Sequence, residues 1–438
     1  ANANLKQADL RVADLSGAIL KETNLKGANL SRAIGLTEEQ IDIAKGVSKI
    51  KHLNIGADAL STIACLQKLG VNFQLGKFTV DVDSPGIDGW KQPQDGILNC
   101  GNSGTTVRLM SGLLAGRENL NIILTGDDSL STRPMKRVIE PLKKMGADIS
   151  AEDGHLPMKI KGKLLDGIQY ILPVASAQVK SCILFAGLSA HGKTFVEEPA
   201  KSRDHTEKMM KMFRIPVFQN KNIISVHALR RSIPGFNYSI PGDPSSAAYW
   251  VAAGLLLAKS RLFLRKMSMN PTRTAFISLL KASGADIDLI AKNKNLEPAG
   301  DVVVRSSALR QFDIRAKQVP GLIDELPLLA LIATQAKGLT TIRGAKELRY
   351  KESDRISSTV TMLRNIGAKI EEFDDGMSIQ GGIKLKGGEV DAQGDHRIAM
   401  TASIAGLISE KPVYVRGWST VDISYPNFYN ILARISKK

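Results

Sequence analysis

Four stretches of this chain share one pattern, in which apolar residues precede a glycine and apolar residues resume immediately after it. They are Leu66-Gln-Lys-Leu69-Gly70-Val71-Asn72-Phe73, Leu142-Lys-Lys-Met145-Gly146-Ala147-Asp148-Ile149, Leu280-Lys-Ala-Ser283-Gly284-Ala285-Asp286-Ile287 and Leu363-Arg-Asn-Ile366-Gly367-Ala368-Lys369-Ile370. Each reads as the end of a helix, a glycine where the backbone must turn to positive φ, and the start of a strand. A degraded copy at Phe213–Phe218 fills the long gap between the second and third. The spacing of about 70–80 residues is too long for a solenoid repeat and suits a small α/β unit.

Each unit also carries an earlier helix rich in Ala, Leu and Gly. The candidates are Ser103–Gly116, Ser176–Gly187, Ser245–Gly254, Glu325–Gly338 and His396–Gly406. The second helices are Ala59–Leu69, Pro134–Met145, Arg203–Phe213, Pro271–Ala282, Glu352–Ile366 and Pro426–Ile435. Five first helices face six second helices, and the pairing fails only at the beginning, where Ala59–Leu69 has no predecessor. β-rich runs at Leu120–Leu124, Asp301–Arg305, Thr340–Arg343 and Val413–Arg416 fall between the helices. The expectation is six α/β units in two sets of three, broken at Ser239–Asp243 by Pro241-Gly242. A short helix is expected at Thr37–Lys45, with Thr37 and Gln40 forming a capping box.

The first 36 residues follow a different rule. Leucines recur at positions 5, 10, 15, 20, 25 and 30, and alanines at 3, 8, 13, 18, 28 and 33. A period of five fits neither helix nor flat strand. The segment resembles the pentapeptide-repeat family, which implies a square β-solenoid with Leu and Ala pointing inward. An Ala/Leu-favoured helix is the alternative.

Composition narrows the function classes. The 438 residues are 43% hydrophobic and 23% charged, which is ordinary for a soluble globular protein. The three cysteines show neither metal-ligand spacing nor a disulfide pattern, which favours a reducing, cytoplasmic setting. No run reaches the roughly 18–20 apolar residues of a membrane span. The formal charge is +16; residues 1–50 hold seven Lys/Arg against six Asp/Glu, so nearly all the excess lies beyond them. Such a charge favours anionic partners. No stretch interleaves cations with aromatics as a nucleic-acid stacking platform does, so a small phosphorylated metabolite fits better than nucleic acid.

Several expected helix starts join small polar residues to cations. They are Gly101-Asn102-Ser103-Gly104-Thr105-Thr106-Val107-Arg108, Ser176-Ala177-Gln178-Val179-Lys180, Ser202-Arg203-Asp204-His205-Thr206, Lys351-Glu352-Ser353-Asp354-Arg355 and Asp395-His396-Arg397. Any one of these is an ordinary cap. Packed about a pseudo-symmetry axis, their positive ends would converge on one cleft suited to a ligand with several anionic groups.

From about Leu53 onward the chain resembles the 5-enolpyruvylshikimate-3-phosphate (EPSP) synthase family, and its class II branch in particular. The resemblance rests on GNSGTTVR, TGDDSLSTRPM, SAQVKS, SRDHTE, IPGDPSSAA, NPTR, IDELP, KESDRI, GDHRIAM and SYPNF, which occur in the family's order. It implies an α/β fold of two domains with three βαβαββ units each, the first unit incomplete. The domain limits would be 1–36 for the pentapeptide segment, 37–52 for a linker with the short helix, then 53–239 and 240–438. It also implies transfer of the enolpyruvyl group of phosphoenolpyruvate to the 5-hydroxyl of shikimate 3-phosphate, with release of phosphate and without metal or organic cofactor. By this resemblance Ser176, Ala177, Gln178, Ser202, Asp324 and Lys351 would bind shikimate 3-phosphate. Asn102, Gly104, Arg133, Gln178, Arg355, His396 and Arg397 would bind phosphoenolpyruvate. Asp324 would take the hydroxyl proton and Glu352 would serve proton transfer at the methylene carbon. A helix cap is the alternative role for Asp324. Lys351 and Arg355, four apart, would stack as like charges on one helical face, a penalty an intervening anion removes. The partners would be the two substrates, without nucleic acid or membrane, and the protein a monomer.

The family's Gly-Asp-Lys-Ser-x-Ser-x-Arg signature, which belongs to the first helix of the first unit, does not occur, and this is the helix the repeat count finds missing. Gly46-Val47-Ser48-Lys49 has the wrong order and no following Arg. Ile423 also stands where the family usually has Lys or Thr. The expectation is impaired activity. The alternative is a non-catalytic relative that binds shikimate 3-phosphate or acts as an interaction module through its pentapeptide repeats.

Overall fold

The computed structural model describes residues 47–229, 233–292 and 296–436. The pentapeptide segment and the expected helix Thr37–Lys45 lie outside the described residues. Part of the expected linker is regular structure: Val47–Lys51 is a strand.

The full βαβαββ unit is clearest at residues 97–161. Strand Ile97–Asn99 runs parallel to Asn121–Thr125, which pairs antiparallel with Met158–Lys161, and that strand with Asp148–Ala151. Helices Gly104–Ala115 and Lys136–Lys144 fill the two connections. The same order recurs in the sheets built on Gln169–Ile171 and on Asp313–Ile314. Repeat glycines Gly70, Gly146, Gly284 and Gly367 all take positive φ, between 92° and 102°. In the degraded copy Arg214 takes that role at φ 56°.

Three units depart from the expected pattern. In the first, only helix Ala57–Lys68 is present among the described residues, and its strand Val47–Lys51 finds its parallel neighbour in Asn237–Ser239, from 190 residues later. Because those strand residues are used there, the fourth sheet has three strands among the described residues, and a single bridge between Gly242 and Met267 stands for the first. The sixth sheet has two strands, Gly388–Asp391 and Val413–Arg416.

The buried apolar residues form two separate cores, one spanning Cys65 to Val226 and the other Ala248 to Phe428. At the centre of the second lie helices Pro244–Leu256, Leu326–Gln335 and His396–Gly406, each packed on the other two. They are apolar nearly all round, as helices buried on every side are. Among the described residues the first core has two such helices, Gly104–Ala115 and Ala177–Gly187. They approach so closely that a Cβ on Gly112 would lie 2.1 Å from the Cys182 carbonyl oxygen. By the repeat scheme, the third member would be the helix that the sequence pattern lacks. All three cysteines, Cys65, Cys100 and Cys182, are free and buried in this first core.

Candidate active site

Helix starts from both lobes meet in one cleft, and most begin with a side-chain cap. Ser103 accepts from the Thr106 N–H, Ser176 from Val179, Asp243 from Ser246, Asp354 from Ile356 and Ser357, and Asp395 from Arg397. The capping and site readings therefore fall on the same elements. Helix His205–Met212 has no such cap.

Asp324 is the hub. It is largely buried, just before helix Leu326–Gln335, and makes no cap; the helix is entered through Glu325. Its carboxylate pairs with Arg203, with Arg355 at 3.3 Å, and with Lys351 and Arg397 at 3.8 Å each. The Arg397 Nη1 also donates to the Asp324 carbonyl at 3.0 Å. Burial alone would raise the Asp324 carboxyl, but Arg397, Arg203 and Lys351 outweigh it and hold the group well below the usual carboxylate range.

The second carboxylate, Glu352, pairs with Arg355 and lies 3.8 Å from Arg133. Burial raises it; Arg355, His396 and Arg133 override that and hold it low. Arg355 is 1% exposed and donates to Asp395 at 2.7 Å as well. Arg133 in turn donates to the Asn102 Oδ1 at 2.8 Å, and a Cβ on Gly104 would stand 3.5 Å from its Nη1. Arg108 donates to the Gln178 Oε1 at 2.9 Å, while the Gln178 Nε2 donates to Thr105 at 2.8 Å. Ser176 and Ala177 begin the same helix as Gln178. Ser202, next to Arg203, donates its hydroxyl to Glu198. A continuous run of contacts thus joins the predicted residues of both lobes, and Arg133, Arg355 and Arg397 share one neighbourhood.

His396 is buried, and its Nδ1 has no hydrogen-bond partner. Burial and Arg397 push its pKa down to about 4, so it is neutral at pH 7. Lys351 is also pushed down, chiefly by burial. The expected stacking of Lys351 on Arg355 along a helix is corrected: the helix begins at Arg355, Lys351 is extended, and the two cations meet on the Asp324 carboxylate instead. The anion between them is the protein's own.

Beside Arg397 a cavity of about 250 Å³ is lined by Asn54, Asp58, Asp243, Ser245, Tyr249 and Ile423, among others. The Asp58 carboxyl in its lining is raised by desolvation and by Glu352. Among the described residues, no helix is long and apolar enough to cross a membrane and no cluster of His, Cys, Asp or Glu is fit to hold a metal ion.

The sequence reading placed Arg203 and Asp395 in helix starts that converge on the cleft but gave neither a role of its own. Arg203 was marked by its place beside Ser202 in SRDHTE, and Asp395 by its place before His396-Arg397.

Residues 42–432 match the family described as EPSP synthase (3-phosphoshikimate 1-carboxyvinyltransferase). The chain belongs to the EPSP synthase family. It is 45% identical over 400 residues to the 3-phosphoshikimate 1-carboxyvinyltransferase of Bacillus velezensis, covering 90% of this chain and 93% of the relative. The enzyme of the same name from Thermodesulfovibrio yellowstonii is 44% identical with the same coverage. Among solved structures, EPSP synthase of Acinetobacter baumannii superposes with a TM-score of 0.78 at 39% identity, covering 89% of this chain and 90% of that one. By family the chain is a 3-phosphoshikimate 1-carboxyvinyltransferase, with the two-domain α/β fold of EPSP synthases. Residues 1–34 match eight copies of the pentapeptide repeat.

Proposed function

We propose that the cleft binds shikimate 3-phosphate and phosphoenolpyruvate and is built for enolpyruvyl transfer, with turnover in this chain strongly reduced. The observation that supports this most is the convergence of Arg133, Arg203, Lys351, Arg355 and Arg397 on two carboxylates at the junction of the two cores. Guanidinium forks suit phosphate and carboxylate oxygens, and a desolvated setting strengthens each contact. Asp324, held ionised among four cations, has the charge state a proton acceptor needs. Glu352, equally ionised beside Arg133 and Arg355, is placed to exchange a proton with the carbon of the other substrate. Ser176, Ala177, Gln178 and Ser202 take the shikimate phosphate. Asn102, Gly104 and His396 complete the phosphoenolpyruvate side.

Reduced turnover follows from the missing Lys-Ser-x-Ser-x-Arg segment. One cation lost from such a site costs roughly 10²–10⁴ in rate. A steady-state phosphate-release assay with both substrates tests this: turnover below about 1 s⁻¹ is expected, and a rate in the ordinary enzyme range refutes the impairment. Replacing residues 1–41 by the corresponding segment of an active relative is expected to raise the rate. The absent segment also favours a second reading, a relative that binds shikimate 3-phosphate without turning it over. Calorimetric binding combined with no phosphate release, before and after that replacement, supports it.

A further inference from the structure

A buried ion cluster joins helix Ala177–Gly187 to the loop that carries Ser202 and Arg203. Lys180 lies in helix Ala177–Gly187, the helix whose start carries Ser176, Ala177 and Gln178. Its side chain is fully buried, and its ammonium faces three acceptors: Glu207 at 2.7 Å, Glu198 at 3.1 Å and the main-chain carbonyl of Arg203 at 2.9 Å. The Glu198 and Arg203 contacts are hydrogen bonds donated by the ammonium, while Glu207 meets it as an ion pair and its carboxylate oxygens have no hydrogen-bond partner. Glu198 divides its two oxygens. Oε2 takes Lys180, and Oε1 accepts both the N–H and the hydroxyl of Ser202. Arg203, whose carbonyl rests on Lys180, sends its guanidinium across to Asp324.

Two carboxylates and one ammonium buried together would leave an uncompensated negative charge, which is costly in a low-dielectric interior. Burial raises the Glu207 carboxyl, and Lys180 opposes that rise. Lys180 and Glu198 form the hydrogen-bonded pair of the cluster, and the other oxygen of Glu198 serves Ser202. The helix that presents Ser176 to Gln178 and the loop that presents Ser202 and Arg203 are therefore locked to each other by one charged atom. With the N–H bond fixing Ser202, its hydroxyl is able to turn from Glu198 to an incoming phosphate oxygen.

We propose that Lys180 is a positioning residue for the phosphate end of the shikimate 3-phosphate site. It acts through Glu198 on Ser202 and through the Arg203 carbonyl on the loop whose Arg203 guanidinium reaches Asp324. This rests on the preceding reading of Ser176, Gln178 and Ser202 as phosphate ligands.

The test is calorimetric titration of the full chain with shikimate 3-phosphate and, separately, with shikimate, which lacks the phosphate. Lys180→Met is expected to weaken shikimate 3-phosphate by about ten-fold or more, the scale of one lost hydrogen bond to a charged group. Shikimate affinity is expected to stay within about two-fold. Glu198→Gln keeps the volume, but its single acceptor oxygen cannot serve both Lys180 and Ser202, so the same selective loss is expected. If Lys180→Met does not fold, Glu198→Gln decides by the same criterion. Equal weakening of both ligands, or unchanged binding of both, overturns the positioning role. Failure of the unmodified chain to bind shikimate 3-phosphate overturns the site reading beneath it.

Discussion

Replacing Asp324 by Asn removes the charge on which four cations converge and leaves the shape nearly unchanged. Each contact at 3.8 Å corresponds to about 4 kcal/mol of gross attraction at an effective dielectric of about 20, most of it offset by desolvation. Arg355 keeps Glu352 and Asp395, but Lys351, Arg203 and Arg397 lose the carboxylate described for them. The net cost expected of a buried charge stripped of its counter-ion is about 3–5 kcal/mol. At about 2–4 °C per kcal/mol for a lobe of this size, the melting temperature at pH 7 falls by roughly 6–20 °C in scanning calorimetry. The sign with pH is fixed. A carboxyl held below its usual value contributes stability above about pH 4 and loses it as pH falls through the folded value, so variant and parent converge in acid. Inorganic phosphate, entering among the unbalanced cations, is expected to restore much of the loss and to bind the variant at least about ten-fold more tightly. An Asn variant that melts with or above the parent refutes the account of Asp324 as the counter-charge of the cleft.

Three further outcomes are expected. His396, with a folded pKa of about 4 against an ordinary 6.5, contributes stability that is complete above pH 6.5 and lost as pH falls toward 4; urea unfolding across that range is expected to show His396→Asn losing about 3 kcal/mol less than the parent. Gly112→Ala places a Cβ 2.1 Å from a carbonyl oxygen, so the two central helices of the first lobe must separate; a loss above about 3 kcal/mol or failure to fold is expected in chemical denaturation. Arg137 and Glu347 make a two-pronged bond at 2.7 and 2.9 Å from residues far apart in the chain, yet both are more than a third exposed; a double-mutant cycle on thermal stability is expected to give a coupling below about 1 kcal/mol.

Much of this was legible because the chain repeats itself. The glycines after Leu69, Met145, Ser283 and Ile366 located four helix ends, since a positive φ is a local demand that only a few residue types meet cheaply. Arg214 carried the same turn without the glycine, which is why that copy looked degraded. The strand Val47–Lys51 was not legible: its neighbour, Asn237–Ser239, arrives from the far end of the lobe, and no local pattern encodes a partner so distant. The same crossing explains the shortened fourth sheet. In the cleft, motif spacing indicated which residues gather but not how their charges are shared. Lys351 and Arg355 read as an i, i+4 pair because the helix was expected to begin at Glu352. Its start at Arg355 and the Asp324 carboxylate between the two cations are tertiary facts. The role of Arg203 was hidden for a related reason, since its value comes from reaching across to the other lobe.

The three thiols give the molecule a clock. Cys65, Cys100 and Cys182 are all sealed in the N-terminal core. A thiol-specific reagent in native buffer will therefore time the opening of that lobe alone, whatever the neighbouring one is doing. If the lobe with two central helices among its described residues breathes more readily than the one with three, labelling will outrun global melting, and a ligand that grips both lobes will slow it.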